Sequence, residues 1–337
     1  MRSLGSTDLR VTEIGFGGAP LGNLFSAVTE ADAQASLATA WNSGCRYFDT
    51  APFYGYGLSE RRFGDALREK PRDQYVLSTK VGRLIRPGAQ TQNGGTDFQT
   101  PMPFHASFDY SYDATMRSIE DSLQRLGLDR IDIALIHDVG RDWHGDRQLE
   151  MMRQAMAGAA KALMELRAAG QIKAIGLGVN DVEPCEQAME HGDFDCFLLA
   201  GRYTLLEQGP LDRLFPACQK RNISIIIGGP FNSGLLARVG QPSATYNYGT
   251  VPPEIAKRAA ALHAACARHG VPLPAVALQF PLAHPVVAAA IPGARDAAEV
   301  ASHWQWAHLM IPAALWDDLR ESGLLDPQAP VPSAPVL

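Results

Sequence analysis

The chain alternates short apolar runs with segments of helical periodicity. After a predicted N-terminal β-hairpin in RSLGSTDLRVTEIGFGG, the first helical pattern covers 29–43, with Thr29 as its N-cap and Gly44 as its C-cap. The apolar runs are apolar on both faces, which is typical of parallel strands covered by helices. These predicted strands lie at 14–18, 45–49, 74–82, 131–137, 172–179, 195–200, 223–229 and 286–293.

Most of these runs are followed by a segment that predicts a helix. The helix predicted at 113–126 stops at Gly127 and has one apolar face, formed by Met116, Ile119, Leu123 and Leu126. A longer helix is predicted at 148–169, with an apolar face of Leu149, Met152, Met156, Leu163 and Leu166. Further helices are predicted near 59–69, 183–190, 209–221 and 253–269. Residues 83–110, rich in Gly, Pro, Gln and Phe, predict no clear element.

Eight strand candidates, most followed by a helix, within about 300 residues favour a (β/α)8 TIM barrel with an N-terminal β-hairpin. A doubly wound open sheet is the alternative, with GFGGAPLG (15–22) as its phosphate loop. The barrel is preferred because Pro20 stands where the third Gly of such a loop should open a helix. We expect one domain over 1–325 and a disordered or loosely packed Pro-rich tail, DPQAPVPSAPVL, over 326–337.

Composition and charge narrow the class of protein. The 337 residues are 46% hydrophobic, enough for a large core. A net charge of −6 argues against nucleic acid or an anionic membrane as partner. The five cysteines are widely spaced, as is typical of reduced thiols, and no run resembles a signal peptide or a membrane span. We therefore expect a soluble, cytoplasmic protein, a monomer or small homo-oligomer, that acts on a small molecule.

Ionisable side chains stand at the C-terminal ends of the predicted strands, where a barrel carries its chemistry. Asp49 ends the second strand, and Tyr54 lies in the loop beyond it. Lys80 ends the third strand, His137 the fourth and Asn180 the fifth. Packing or solvation would explain any one of the first four alone, but an acid, a phenol, an amine and an imidazole at one rim predict a catalytic site.

These four residue types form an acid–base set. A phenol has an ordinary pKa of about 10, too high for proton transfer near neutrality. We expect the Lys80 ammonium to lower the pKa of Tyr54, and the Asp49 carboxylate to keep Lys80 charged. Tyr54 is then the proton donor and acceptor, and His137 orients the substrate oxygen.

The set Asp49, Tyr54, Lys80 and His137 resembles the catalytic tetrad of the aldo-keto reductase superfamily. The resemblance extends from LGSTDLRVTEIGFGG to IPGARDAAEV. FDYSYDATMRSIEDSLQRLGLDRIDIALIHD (108–138) and LLAGRYTLLEQ (198–208) resemble the branch that contains aldose 1-dehydrogenases and pyridoxal 4-dehydrogenase. This implies oxidation of the hemiacetal carbon of a small polar substrate, such as L-fucose, to a lactone. Pyridoxal oxidation to 4-pyridoxolactone, or general aldehyde and ketone reduction, is the alternative.

The resemblance also implies a nicotinamide cofactor lying across the rim. Members often carry a Gln on the sixth strand and a stacking Tyr after the seventh, where this chain has Ala200 and Gly228; Phe231 or the 83–110 segment is expected to compensate. The implied cofactor contacts are Gly18, Asp49, Asn180, Gly228, Pro230, Gly234, Leu236, Ile291, Gly293, Arg295 and Glu299.

The adenosine end of the cofactor is expected near the last predicted strand. Relatives that use NADPH commonly grip the 2′-phosphate with a Lys and an Arg, and the corresponding positions here are Gly293 and Glu299. A carboxylate accepts a hydrogen bond from a ribose hydroxyl and repels a phosphate. NAD is therefore the expected cofactor, with NADP as the alternative because Arg295 is nearby.

Aromatic residues are expected to form the substrate pocket. Tyr54 and His137 would contact the substrate, together with Phe104 from 83–110 and Trp143 from 139–147. Phe98, His105, Phe108 and His144 are further wall candidates.

Two rival functions remain. A metal-dependent hydrolase is disfavoured because HDVGRDWHGD lacks a metal-like pair, and no metal site is expected. A non-catalytic barrel that binds the cofactor as a sensor is disfavoured by the intact tetrad.

Overall fold

A closed barrel of eight parallel strands forms the centre of the computed structural model, which describes residues 1–88, 98–241 and 244–333. Numbered along the chain, the strands are β1 (Arg2–Ser3), β2 (Arg10–Val11), β3 (Phe16–Gly17), β4 (Tyr47–Asp49), β5 (Val76–Val81), β6 (Arg83–Pro87), β7 (Phe104–Phe108), β8 (Ile133–His137), β9 (Ala174–Val179), β10 (Cys196–Ala200), β11 (Ser224–Gly228) and β12 (Val287–Ile291). The barrel order is β3-β4-β5-β8-β9-β10-β11-β12. The ring closes where Gly15 N donates to Ala290 O over 2.9 Å and Gly17 N donates to Pro292 O over 3.1 Å. The predicted barrel is confirmed.

The N-terminal hairpin is confirmed as well, and it covers the lower mouth of the barrel. Strands β1 and β2 pair antiparallel. Leu4 and Val11 are fully buried and pack with the side chains inside the barrel, including Leu135 and Ile226. Gly5 N donates to Ser224 Oγ over 2.7 Å at the start of β11. The hairpin is thereby held against the N-terminal ends of the strands.

Helices surround the barrel. They are α1 (Glu30–Asn42), α2 (Leu58–Leu67), α3 (Tyr112–Leu126), α4 (Arg141–His144), α5 (Gln148–Gln154), α6 (Lys161–Ala168), α7 (Val182–Ala188), α8 (Leu214–Arg221), α9 (Pro253–Arg268), α10 (Leu273–Gln279), α11 (Ala297–His308) and α12 (Ala313–Glu321). Thr29 caps α1 as predicted, accepting from Asp32 N over 3.1 Å. Ser43, not Gly44, is the C-cap, and Gly44 follows in the left-handed region. Helices α10 to α12 were not among the predicted elements. Among the described residues, no helix has both the length and the apolar character needed to cross a bilayer.

The single helix predicted at 148–169 is interrupted. A π-helical turn, Ala155–Ala160, separates α5 from α6. It inserts about one residue into the helical phase, so the buried face of α5 consists of Gln148, Met151 and Met152. Leu149, predicted on that face, is 54% exposed. A Cβ at Gly158 would lie 2.3 Å from the Tyr110 carbonyl oxygen, so glycine allows this turn to approach the chain just before α3.

The prediction of no clear element in 83–110 was wrong. Strands β6 and β7 form an antiparallel hairpin, with Arg83 opposite Phe108. Each strand is only five residues long, too short for its alternation to stand out among glycines and glutamines. Residues 89–97 lie outside the described residues.

The start of the C-terminal tail packs on the barrel instead of being loose. Asp326 N donates to Gln208 Oε1 over 2.7 Å, and Ala329 O accepts from Arg320 Nη2 over 2.9 Å. Ala329 is 1% exposed. These contacts bury part of the 326–333 segment; residues 334–337 lie outside the described residues, and the boundary at 325 stays a prediction.

Candidate active site

A buried ion pair lies at the C-terminal ends of β4 and β5. Lys80 Nζ is 2.8 Å from Asp49 Oδ2 and donates to Thr50 O over 2.9 Å. Ser78 Oγ donates to Asp49 Oδ1 over 2.7 Å. Burial raises the pKa of Asp49, while the Lys80 ammonium and the Ser78 hydroxyl oppose that shift. The ammonium is thus fixed in place by a carboxylate that is itself hydrogen-bonded.

Tyr54 and His137 complete the predicted set of four. Lys80 Nζ lies 4.6 Å from the centre of the Tyr54 ring. The rings of Tyr54 and His137 are 6.0 Å apart and nearly perpendicular, at 83°. The structure therefore brings all four residues together at the upper rim.

The expected lowering of the Tyr54 pKa is not found. Burial raises the pKa of this phenol well above its ordinary value, and the carboxylates of Asp49 and Asp138 act in the same direction. Because Lys80 is paired with Asp49, the negative charge of the partner offsets its ammonium at the phenol. Tyr54 is consequently a protonated phenol at neutral pH.

His137 is held neutral. Burial lowers its pKa well below the ordinary value, and the nearby cations of Lys80 and Arg83 lower it further. Its Nδ1 is buried and has no hydrogen-bond partner among the residues that the structure describes. A neutral imidazole can donate a hydrogen bond to a substrate oxygen without carrying charge into the cavity.

Tyr54 and His137 face a cavity of about 760 Å³ above the barrel strands. Small residues, Gly178 and Ala200, and the amide-bearing Asn180 lie on the strand ends beneath it. The aromatic side chains that line it are Phe53, Phe98, Trp143 and Tyr248. Phe104, expected as a wall, is not among the lining residues and packs against the cluster of Phe53, Tyr56 and Phe98.

Several lining or supporting residues were missed in the sequence, among them Phe53, Asp138, Arg83 and Tyr248. Asp138 directly follows His137, and Arg83 pairs with it at 2.6 Å. Extending the inspection of the strand ends by one residue would have included Asp138. Tyr248 lies in the turn Tyr246–Gly249, where Asn247 and Tyr248 both have positive φ and residues 246 and 249 exchange two backbone hydrogen bonds. Asn at the first central position favours such a turn, but Tyr in place of Gly at the second hides the signal in YNYG.

The residues expected to bind the cofactor occupy the same rim in different ways. Gly18 and Gly293 pack tightly. A Cβ at Gly18 would lie 2.7 Å from Asp49 O, and a Cβ at Gly293 would lie 2.6 Å from the Pro20 ring. The side chains of Leu236, Ile291 and Pro230 are buried and leave only backbone for a ligand. Gly228 ends β11, where a Cβ would meet Leu198 and Ala200 at 3.1 and 3.2 Å. Phe231 packs on His303 and Trp306, not on the cavity, and the aromatic ring found there is Tyr248.

Charged groups cluster beyond Gly234. Glu299 accepts from the Arg295 backbone N over 2.9 Å and forms an ion pair with its guanidinium. Burial would favour the neutral acid, but the Arg295 hydrogen bonds outweigh it and lower the pKa of Glu299. The Arg238 guanidinium covers Gly234, where a Cβ would lie 2.4 Å from Nη2. Two cations, Arg238 and Arg295, and two carboxylates, Glu299 and Asp296, therefore share this end of the rim.

The residues present fit a nicotinamide dinucleotide. The floor of small residues leaves space for a flat ring, and the Asn180 amide beside it can pair with a carboxamide. Asn232 Oδ1 is buried and accepts no hydrogen bond from the described residues, while its Nδ2 donates to Gly201 O over 3.1 Å. Arg238 and Arg295 would supply positive charge near the phosphates of the dinucleotide.

Comparisons with known proteins agree with this arrangement. The model of the aldo/keto reductase family matches residues 13–322. The chain is 44% identical to pyridoxal 4-dehydrogenase of Microbacterium luteolum over 334 residues, 96% of this chain and 97% of that protein. It is 41% identical to D-threo-aldose 1-dehydrogenase of a Pseudomonas species, over 94% of this chain and 95% of that protein.

A solved structure shares the fold along the whole chain. The holo form of an aldo-keto reductase from Bacillus halodurans matches with a TM-score of 0.73 and 26% identity, covering 100% of this chain and 99% of that one. The barrel and the comparisons together define the class. This chain belongs to the aldo/keto reductase family and is an oxidoreductase.

Proposed function

We propose that this chain oxidises the hemiacetal carbon of a small cyclic hemiacetal to a lactone, with an aldose such as L-fucose as substrate and NAD as cofactor. The observation that carries the proposal is the placement of the Tyr54 phenol beside a neutral His137 over one cavity, at 6.0 Å between rings. A hydroxyl group bound there can accept a hydrogen bond from His137 and, once the Tyr54 phenol has lost its own proton, give its proton to Tyr54 Oη.

The proposed roles follow from the geometry. The nicotinamide ring, when bound, supplies the acceptor for the hydride that leaves the hemiacetal carbon. Tyr54 is the acid–base group, and His137 orients the reacting oxygen. Asp49 holds the Lys80 ammonium in place beside the Tyr54 ring. In the oxidative direction Tyr54 must act as a base, so its raised pKa predicts oxidation that accelerates with rising pH.

Cofactor choice is proposed from the cluster of Arg295, Glu299 and Arg238. The Glu299 carboxylate can accept a ribose hydroxyl and repels a 2′-phosphate. Arg295 is already paired with Glu299, which weakens its attraction for that phosphate. NAD is therefore preferred over NADP.

Pyridoxal is the second candidate substrate, and two observations favour it. A relative of 44% identity bears the name pyridoxal 4-dehydrogenase, and the aromatic ring of Phe98 in the cavity wall can pack against a pyridine ring. Pyridoxal closes into a cyclic hemiacetal, so the same residues would perform the same oxidation. The five free cysteines are all buried thiols, which agrees with the proposal of a cytoplasmic protein.

Steady-state formation of NADH or NADPH tests the proposal. A panel of aldoses, including L-fucose, and pyridoxal would be offered with each cofactor, before and after treatment with a chelator. We expect lactone formation matched by reduced cofactor, faster with NAD and unaffected by the chelator. Absence of reduced cofactor with every member of the panel would overturn the proposed function, and loss of activity to the chelator would favour the metal-dependent rival.

A further inference from the structure

Beside the proposed catalytic residues lies a second buried ion pair, formed by Arg83 and Asp138. Arg83 Nη2 is 2.6 Å from Asp138 Oδ2, and the two side chains are 4% and 8% exposed. The Arg83 guanidinium lies over the faces of Phe53 and Trp143, at 3.7 and 3.8 Å from the ring centres, and the two rings are nearly perpendicular. Aromatic faces on two sides fix the cation, and the cation in turn fixes the carboxylate.

The backbone at Asp138 is arranged so that its side chain reaches the cavity. Successive residues of a strand point to opposite sides, so the residue after His137 would normally point away from it. Asp138 instead has φ +52, in the left-handed region that Asp and Asn tolerate better than other non-glycine residues. Its N–H donates to Gly178 O over 2.9 Å. As a result His137 and Asp138 both line the same cavity.

A donor and an acceptor thereby stand next to each other. His137 Nε2 is 3.3 Å from Asp138 Oδ2. Asp138 Oδ1 accepts no hydrogen bond from the side chains that the structure describes, whereas Oδ2 faces Arg83. Two oxygens on neighbouring carbon atoms are close enough together to contact two neighbouring side chains. One oxygen of such a pair can accept from His137 while the other donates to Asp138.

We propose that Asp138 is a specificity-determining residue, which accepts a hydrogen bond from a hydroxyl group beside the reacting carbon, and that Arg83 is the positioning residue that holds it. The substrate class is then hemiacetals with an adjacent hydroxyl group. The C2 hydroxyl of an aldose, on the carbon bonded to the reacting one, meets this requirement. The ring hydroxyl of pyridoxal is one carbon further away but still faces the hemiacetal group. This inference rests on the proposed function and deepens it.

The test compares an aldose that the enzyme oxidises with its 2-deoxy counterpart. The wild-type protein should favour the hydroxylated sugar by about 10- to 100-fold in kcat/KM, as expected for a hydrogen bond to a charged group. Asp138→Asn, which tolerates the positive φ, should reduce that preference several-fold, and Asp138→Ala should abolish it. If pyridoxal is the substrate, pyridoxal and its 3-deoxy analogue form the matched pair.

Asp142→Asn is the control, because Asp142 is another carboxylate four residues along the chain that does not line the cavity. The Asp142→Asn variant should prefer the hydroxylated sugar over the 2-deoxy sugar by the same factor as the wild type. Thermal unfolding and quenching of protein fluorescence by NADH establish that each variant is folded and binds cofactor; should Asp138→Ala fail this check, Asp138→Asn decides. A preference that survives in the Asp138 variants, or that is missing in the wild type, overturns the inference while leaving the oxidation itself intact. Failure of the proposed function looks different, because no sugar or pyridoxal would then be oxidised at all.

Discussion

Replacing Lys80 by methionine tests how the charges at the centre of the site are balanced. The variant keeps most of the side-chain volume but removes the ammonium that lies 2.8 Å from Asp49 Oδ2. Asp49, 2% exposed, would keep the Ser78 hydroxyl as a hydrogen-bond donor but lose its counter-ion. An uncompensated buried carboxylate is costly, and breaking such a pair from one side typically costs about 3–5 kcal/mol.

That loss is large beside a total free energy of unfolding of about 5–15 kcal/mol. The double variant Asp49→Asn/Lys80→Met carries neither charge. It should lose only the hydrogen bonds of the pair, at about 1–2 kcal/mol. The double variant is therefore expected to be more stable than the single variant, although it has one substitution more.

The pH dependence has a defined sign. Burial already raises the folded-state pKa of Asp49, and removing Lys80 raises it further. A carboxyl group with a raised folded-state pKa loses stability as pH rises through that value. The Lys80→Met variant should therefore become more stable, relative to wild type, as pH falls from about 8 to about 5, by up to about 1.4 kcal/mol for each pH unit below that pKa.

Urea unfolding followed by tryptophan fluorescence measures these differences. Lys173→Met is the matched control, because Lys173 is exposed, and it should change the free energy of unfolding by less than about 0.5 kcal/mol. Equal stability of the single and double variants, or a Lys80→Met deficit that does not vary with pH, would refute the electrostatic account of this pair.

Three further outcomes are expected. Tyr54→Phe should lower kcat by about 10²–10⁴-fold without weakening NADH binding, and it should remove the rise of oxidation with pH that the raised Tyr54 pKa predicts; near-normal turnover would contradict the assignment. Because the pKa of His137 is lowered well below its ordinary value, NMR titration should show no protonation of this ring between about pH 6 and 8, and a transition near 6.5 would count against its neutrality. Glu299→Arg should raise the ratio of NADP to NAD activity, and an unchanged ratio would mean that Glu299 does not contact the ribose.

The barrel could be predicted from the sequence because each strand is apolar on both faces, as a buried parallel sheet requires. Asp49, Lys80 and His137 could be found by the same rule, since each ends such a strand. The β6–β7 hairpin was not predicted because its short strands pair above the rim, where side chains do not alternate between core and solvent.

The remaining differences come from burial, contacts between segments and backbone geometry. The π turn depends on how closely Gly158 approaches Tyr110 O, a contact across 48 positions of sequence. The direction of the Tyr54 pKa shift is set first by burial and then by the Asp49 charge, and residue types alone do not give the burial. Asp138 was missed because its side chain reaches the cavity only through a left-handed backbone turn.

The hairpin of β1 and β2 has a consequence for how ligands reach the cavity. Leu4 and Val11 are buried at the end of the barrel opposite the cavity. Arg2 Nη1 donates a hydrogen bond to Val287 O over 2.7 Å, which holds the hairpin in place. The barrel interior is itself filled by buried side chains such as Tyr47 and Ile133, so ligands reach the cavity from the side of the strand C-termini. Where two ligands share this one opening, the ligand that binds deeper must bind first and dissociate last.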